Sequence, residues 1–305
     1  MAGERLGLRK HHGAGNDFLV LLDPDGARPV SGAEARALCD RHRGVGGDGL
    51  LRATRPAPGT LVMELYNADG SVAEMSGNGI RCFVQAAVQT GLAAPGLVEV
   101  VTAAGRRSVT YEAGEEPGSG VAAVGMGAAR VGEEIALDEL PGARARLVDM
   151  GNPHVVILGD AVDGATLARV GPVVSARRPA GANVEFVWPG PGARELSMRV
   201  WERGVGETLA CGTGACAVAA AAATWGLGQA TTRVHSPGGV LEVTLGADEI
   251  VLRGPTRHVA DVVVSEAVLA AMVADAGRGV DERAGAVGAP AGAAARAAVE
   301  VPARP

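Results

Sequence analysis

One thirty-residue stretch of this chain is written twice, so its fold has to house two copies of the same unit. Residues 63–92 (MELYNADGSVAEMSGNGIRCFVQAAVQTGL) align without a gap on residues 198–227 (MRVWERGVGETLACGTGACAVAAAAATWGL), at a constant offset of 135 positions. Met63 falls on Met198, Gly77 on Gly212, Gly79 on Gly214, and Gly91-Leu92 on Gly226-Leu227. Each copy reads as a strand, a polar loop, a Gly-x-Gly turn and an apolar helix. The residue that opens the turn differs: it is Ser76 in the first copy and Cys211 in the second.

A Gly-x-Gly turn at a helix start leaves backbone N–H groups unpaired, and the helix dipole adds positive potential there. Such an end binds a carboxylate or phosphate. A cysteine at that place is expected to have its thiol pKa lowered toward neutrality. Two such ends facing each other would hold one carboxylate and acidify the carbon beside it, because the donors stabilise the enediolate that forms. With a proton-transferring group on each face, a proton leaves one side while another arrives on the opposite side. That is racemisation or epimerisation, and it needs no cofactor. A single Ala-Cys-Gly-Thr-Gly could equally be tight packing around an inert small residue; two copies in register, with polar residues in the preceding loops, favour chemistry. A dinucleotide site is excluded, because neither copy has Gly-x-Gly-x-x-Gly with an acidic residue about 20 positions on.

The rest of the sequence narrows the partners. The 305 residues suffice for two domains of ordinary size. Aromatic residues make up only 3%, so the core has to come from Ala, Val and Leu. The net charge of −6, with both signs interspersed, argues against a nucleic-acid surface and leaves a small polar substrate open. The opening residues MAGERLGLRKHHGAGNDF have no apolar stretch of the secretory kind. No run approaches the roughly 18 apolar residues of a membrane span. Cys39, Cys82, Cys211 and Cys216 follow no metal-binding spacing. Reduced thiols and a cytoplasmic setting are expected. Strands are expected near Leu8, Phe18, Leu61–Tyr66, Val121, Arg146–Met150, Val155–Leu158, Asn183–Trp188, Leu196–Trp201 and Arg257–Val264. Hairpins are expected over Val98–Tyr111 and Thr232–Leu245. A helix capped by Ser31 should run from Gly32 to about His42. The division expected is a first domain over 1–120 completed by about 258–276, a second over 121–257, and a disordered Ala/Gly/Arg/Pro tail over 277–305.

Eight motifs in order then carry a resemblance. They are His12-Gly13-Ala14-Gly15-Asn16-Asp17-Phe18, Gly44-Val45-Gly46-Gly47-Asp48-Gly49, Asn67-Ala68-Asp69-Gly70-Ser71 and Gly77-Asn78-Gly79-Ile80-Arg81, followed by Gly151-Asn152-Pro153-His154, Asn183-Val184-Glu185-Phe186, Glu202-Arg203-Gly204-Val205-Gly206-Glu207-Thr208 and Ala210-Cys211-Gly212-Thr213-Gly214. From about Lys10 to Ala271 the chain resembles the diaminopimelate epimerases, lysine-pathway enzymes that interconvert LL- and meso-diaminopimelate without a cofactor. The resemblance implies an α/β (α+β) fold of two pseudo-symmetric domains, each a curved mixed sheet wrapped around a central helix, with the site in the cleft between them. It implies that Cys211 is one catalytic thiol. It places Asn16, Asn67, Asn152, Asn183, Glu202 and Arg203 on the substrate. Gly77-Asn78 and Gly212-Thr213 would supply backbone donors to the α-carboxylate, Arg203 would clamp a carboxylate, and His154 would either orient a catalytic group or be a satisfied structural histidine. A homodimer is implied as well.

The family has cysteine where this chain has Ser76. A serine hydroxyl is a far weaker base than a thiol, and it donates a proton only if the alkoxide left behind is stabilised. Cys82, six residues further along the helix and about 9 Å away along its axis, is on a different face and reads as core. Three outcomes follow from Ser76: a slower epimerase, a site that exchanges protons on one face only or eliminates a β-substituent from another amino acid, or a protein that binds an amino acid without turning it over.

Overall fold

A computed structural model describes residues 5–286 of the chain, the last ten of these by their backbone alone. The first half runs β1 (Arg5–Gly13), β2 (Asn16–Leu22), α1 (Gly32–Cys39), β3 (Gly49–Ala57), β4 (Thr60–Asn67), β5 (Val72–Ala73), α2 (Gly77–Gln89), β6 (Gly96–Thr102), β7 (Gly105–Ala113) and β8 (Ser119–Gly125). After β9 (Arg130–Ile135) the order repeats as β10 (Arg144–Asp149), β11 (Pro153–Leu158), α3 (Gly164–Ala176), β12 (Asn183–Pro189), β13 (Glu195–Glu202), β14 (Gly206–Thr208), α4 (Gly212–Thr224), β15 (Thr231–Ser236) and β16 (Gly239–Leu245). β17 (Ile250–Ser265) and α5 (Glu266–Ala286) close the chain.

The repetition extends to strand register. Arg9 faces Val20 across β1 and β2, and Arg146 faces Val156 across β10 and β11. Leu65 faces Ala73 as Val200 faces Thr208. The parallel pairs also recur, β2 with β3 and β4 with β6, then β11 with β12 and β13 with β15. A parallel neighbour requires a crossover, and α1, α2, α3 and α4 supply the four crossovers. β17 belongs to both halves: it pairs with β16 through Ile250–Arg253, with β8 through Val251–Arg257, and with β1 through Arg257–Ser265.

The pseudo-symmetric mixed α/β fold that the resemblance implies is the one observed. Ile80, Cys82, Phe83 and Val84 of α2 and Ala215, Cys216, Val218 and Ala219 of α4 are buried in one continuous apolar core. All three phenylalanines of the chain (Phe18, Phe83 and Phe186) are buried, and Ala, Val and Leu fill most of the rest. Ser31 caps α1 in a reciprocal capping box with Glu34, although that helix stops at Cys39 rather than near His42. The backbone of α5 remains helical to Ala286, ten residues into the tail expected to be structureless from Gly277. The rest of that tail, 287–305, lies outside the described residues. Among the described residues, no helix is long and apolar enough to cross a membrane.

Candidate active site

Ser76 and Cys211 cap the two central helices in the same way. Ser76 is extended (φ −138°, ψ 121°) and its Oγ accepts a hydrogen bond from Gly79 N–H at 3.0 Å. Cys211 is extended (φ −120°, ψ 118°) and its Sγ accepts from Gly214 N–H at 3.3 Å. The N–H groups of Gly77 and Asn78, and of Gly212 and Thr213, have no partner inside their helices. The two turns touch: a Cβ added to Gly212 would fall 3.2 Å from Gly77 Cα and 3.5 Å from Asn78 N. Glycine at 212 permits this approach, whereas a Cβ at Gly77 would instead meet Leu252 Cδ2 at 2.9 Å.

Around the paired turns lies a cavity of about 560 Å³ lined by both halves. From the first half it takes Asn16, Asn67, Ser76, Gly77 and Asn78; from the second, Asn152, Asn183, Glu202, Arg203, Cys211, Gly212 and Thr213. Every residue placed there by the sequence is present except His154. That side chain is buried behind the wall, where Nε2 meets Asn152 Oδ1 at 3.0 Å and Nδ1 meets Glu185 Oε1 at 2.7 Å. It therefore orients Asn152 and makes no direct contact with either cap. Cys82 is fully buried, and burial pushes its thiol up to about 11; it is core, as read. Asp48, Met75 and Thr208 also line the cavity and were missed as site residues. Glu185 was missed too, although a lone acid inside the apolar strand Val184-Glu185-Phe186-Val187 was a legible signal of a buried, paired charge.

The two asparagines that occupy equivalent places in the halves are turned opposite ways. Asp48 Oδ2 accepts from Asn16 Nδ2 at 2.7 Å, so Asn16 offers its oxygen to Asn78 Nδ2, at 3.2 Å. Arg41 bridges Asp48 and Asp17 behind this contact, and Lys10 joins Asp17 at 3.0 Å. In the second half His154 engages the oxygen of Asn152. The Asn152 amide nitrogen reaches Thr213 Oγ1 at 3.4 Å, and that hydroxyl lies 3.4 Å from Cys211 Sγ.

Charge corrects one expectation. The Cys211 thiol is not held near neutrality: burial first, then the Glu202 and Glu185 carboxylates, push it well above its usual value. The donors at Thr213 and Gly214 offset this only in part. Glu202 is itself pushed up to about 6, by burial and then by Glu185, against a hydrogen bond donated by Thr208 Oγ1. These influences together favour the protonated thiol over the thiolate. Arg203 lies at the rim, its backbone N–H donating to Asn183 Oδ1 at 2.9 Å and its Nη1 to Ala180 O at 3.0 Å.

The diaminopimelate epimerase family model matches residues 8–132 and 146–259. The chain belongs to the diaminopimelate epimerase family. It is 40% identical over 284 residues to the diaminopimelate epimerase of Mycolicibacterium paratuberculosis, covering 84% of this chain and 96% of that one. The enzyme of the same name from Desulforudis audaxviator is 39% identical, covering 83% and 96% of the two chains. Among solved structures, a predicted epimerase from Pseudomonas aeruginosa superposes with a TM-score of 0.68 at 15% identity, covering 85% of this chain and 99% of that one. A hydroxyproline epimerase from Agrobacterium vitis superposes with a TM-score of 0.66 at 17% identity, covering 86% and 93%. At such identity these two structures share the family's fold and say nothing of the substrate.

Proposed function

We propose that this protein epimerises LL-2,6-diaminopimelate to the meso isomer by two-sided proton transfer at the α-carbon, without a cofactor, in the cytoplasmic supply of lysine and peptidoglycan precursors. One observation carries the reading: Ser76 and Cys211 cap two helix starts that come from opposite halves and touch at Gly77 and Gly212. The four free N–H groups at those starts suit the α-carboxylate and the negative charge that develops beside it. Arg203 suits the distal carboxylate, and Glu202 with Asn67 and Asn183 suits the distal ammonium.

The same arrangement supplies a trigger. An ammonium group seated against Glu202 cancels the charge that most opposes ionisation of Cys211 after burial itself. The thiolate then removes the α-proton from one face while the Ser76 hydroxyl gives its proton to the other. The alkoxide left on Ser76 is held by Gly79 N–H and the start of α2. Solvent returns a proton to Ser76 and removes one from Cys211, which closes the cycle. The serine makes the turnover slower than a thiol pair would.

The test is NMR of the protein with LL-diaminopimelate in D₂O, following α-proton loss and meso product together. Deuterium uptake with meso product is the expected result. Uptake without inversion would mean that only Cys211 works, and would favour a lyase or another amino acid. No exchange at all would leave a protein that binds an amino acid without converting it. The homodimer is a separate proposal, checked by light scattering.

A further inference from the structure

Arg81 is fully buried, and among the described residues no carboxylate lies within ion-pair distance of it. Burial lowers its pKa to about 10, which leaves the guanidinium charged at neutral pH. A buried charge without a counter-ion is costly to fold. The fold does not require it, since the equivalent position in the second copy is Cys216, equally buried and uncharged. Space for it is left on two strands: a Cβ at Gly13 or at Gly254 would fall 3.1 Å from Arg81 Nη2.

The guanidinium makes two hydrogen bonds, both to the Ser76 turn. Nη1 donates to Gly77 O at 2.8 Å and Nη2 to Asn78 Oδ1 at 2.9 Å. An asparagine whose oxygen is engaged cannot turn its amide over. The Asn78 nitrogen is therefore fixed toward Ala210 O, at 3.1 Å, and Asn16 Oδ1. Ala210 immediately precedes Cys211. Among the described residues this is the one side-chain hydrogen bond that joins segment 76–79 to segment 210–214.

The geometry points to Arg81 as a positioning residue that locks the two helix starts together through Asn78. It touches no substrate. Its role is to hold the Cys211 cap where it opposes the Ser76 cap, because proton transfer to opposite faces of one carbon tolerates little misplacement. Only the kinetic arm of the following test rests on the epimerase reading.

Two full-length variants separate the lock from mere packing. Arg81→Met keeps most of the volume and removes the grip on Asn78. Asn78→Asp keeps the contact with Arg81, now as an ion pair, and removes the donor to Ala210. Backbone hydrogen exchange read by mass spectrometry is expected to rise severalfold over residues 209–216 in both variants, although both changes lie in the other half. Inversion of diaminopimelate is expected to slow on the order of 10- to 100-fold in kcat, with KM little changed. Faster exchange confined to residues 76–89, with 209–216 unchanged in both variants, would overturn the lock and leave Arg81 a local packing residue. If the unmodified protein shows no inversion, the epimerase reading fails by itself and the exchange measurement still decides the lock.

Discussion

The two helix starts have the same shape and opposite electrostatics. The Ser76 start has a buried cation, Arg81, one turn behind it, and its neighbouring asparagine presents an oxygen. The Cys211 start has two carboxylates, Glu202 and Glu185, that add to burial in pushing its thiol up, and its neighbouring asparagine presents a nitrogen. The helices differ in the same sense. α2 buries Asn78, Arg81 and Gln85, whereas α4 buries only glycine, alanine, cysteine and valine. Duplication has preserved the backbone, down to strand register, while the charges around the two caps have become unequal. The two caps should therefore do unequal work, even where the fold is symmetric.

The sharpest way to break this comparison is to remove each cap in turn. Cys211→Ala should cut α-proton exchange on the order of 10²- to 10⁴-fold. Ser76→Ala should abolish inversion yet retain exchange on the face of Cys211. Equal losses of exchange in D₂O would mean that the caps are equivalent and the charge asymmetry idle. Ser76→Cys should raise the inversion rate on the order of 10²-fold, since a thiol replaces the weaker base; an unchanged rate would show that Ser76 does not limit turnover.

Smaller effects sharpen the account. Gly212→Ala drives a methyl against Gly77 and Leu252 and should cost about 1–3 kcal/mol in urea unfolding, as other overpacked sites do. Ser76→Ala removes a helix cap and should cost about 1 kcal/mol by the same measurement. A loss near zero would mean that Gly79 N–H finds another acceptor. The pH dependence follows from Glu202, pushed up to about 6. Binding of an ammonium needs the carboxylate, so KM should rise as pH falls through about 6, and Glu202→Gln should remove that rise. In stability the sign is reversed. A carboxyl with a raised folded-state pKa favours the protonated form, so its contribution is present at low pH and is lost as pH climbs through about 6. Alkylation of Cys211 in the empty protein should still be accelerating above pH 9.

Much of this was legible in the sequence because repetition reveals itself. The Gly-x-Gly turns, both central helices and the two hairpins could be read from motif and period, and the cavity residues followed from the family resemblance. What escaped depended on partners distant along the chain. β3 and α3 carry no repeated motif, and α3 has Pro172 inside it, so neither stood out. β17 was read only from Arg257, yet Gly254 and Pro255 already pair with β8, facing Ala122 and Val121. The state of Cys211 was misjudged for the same reason. The helix start is visible at Gly212, whereas the burial that dominates the shift is not, and Glu185, which adds to it, lies on another strand. Arg81 sat in plain view between Ile80 and Cys82, but its lack of a carboxylate partner is a fact of three dimensions.

The double membership of β17 decides the order in which the protein can be made. β1 leaves the ribosome first, and its outer edge is matched only by residues 257–265, among the last of the fold to be synthesised. β8 waits as well, for Val251–Arg257. Through most of its synthesis the nascent chain therefore carries bare strand edges, the condition in which chains pair with one another instead of with themselves. A chain truncated after Leu245 would retain both turns and the whole cavity lining and still lack the strand that pairs with β1, β8 and β16. The two halves that line the site are therefore braced together only once β17 is in place.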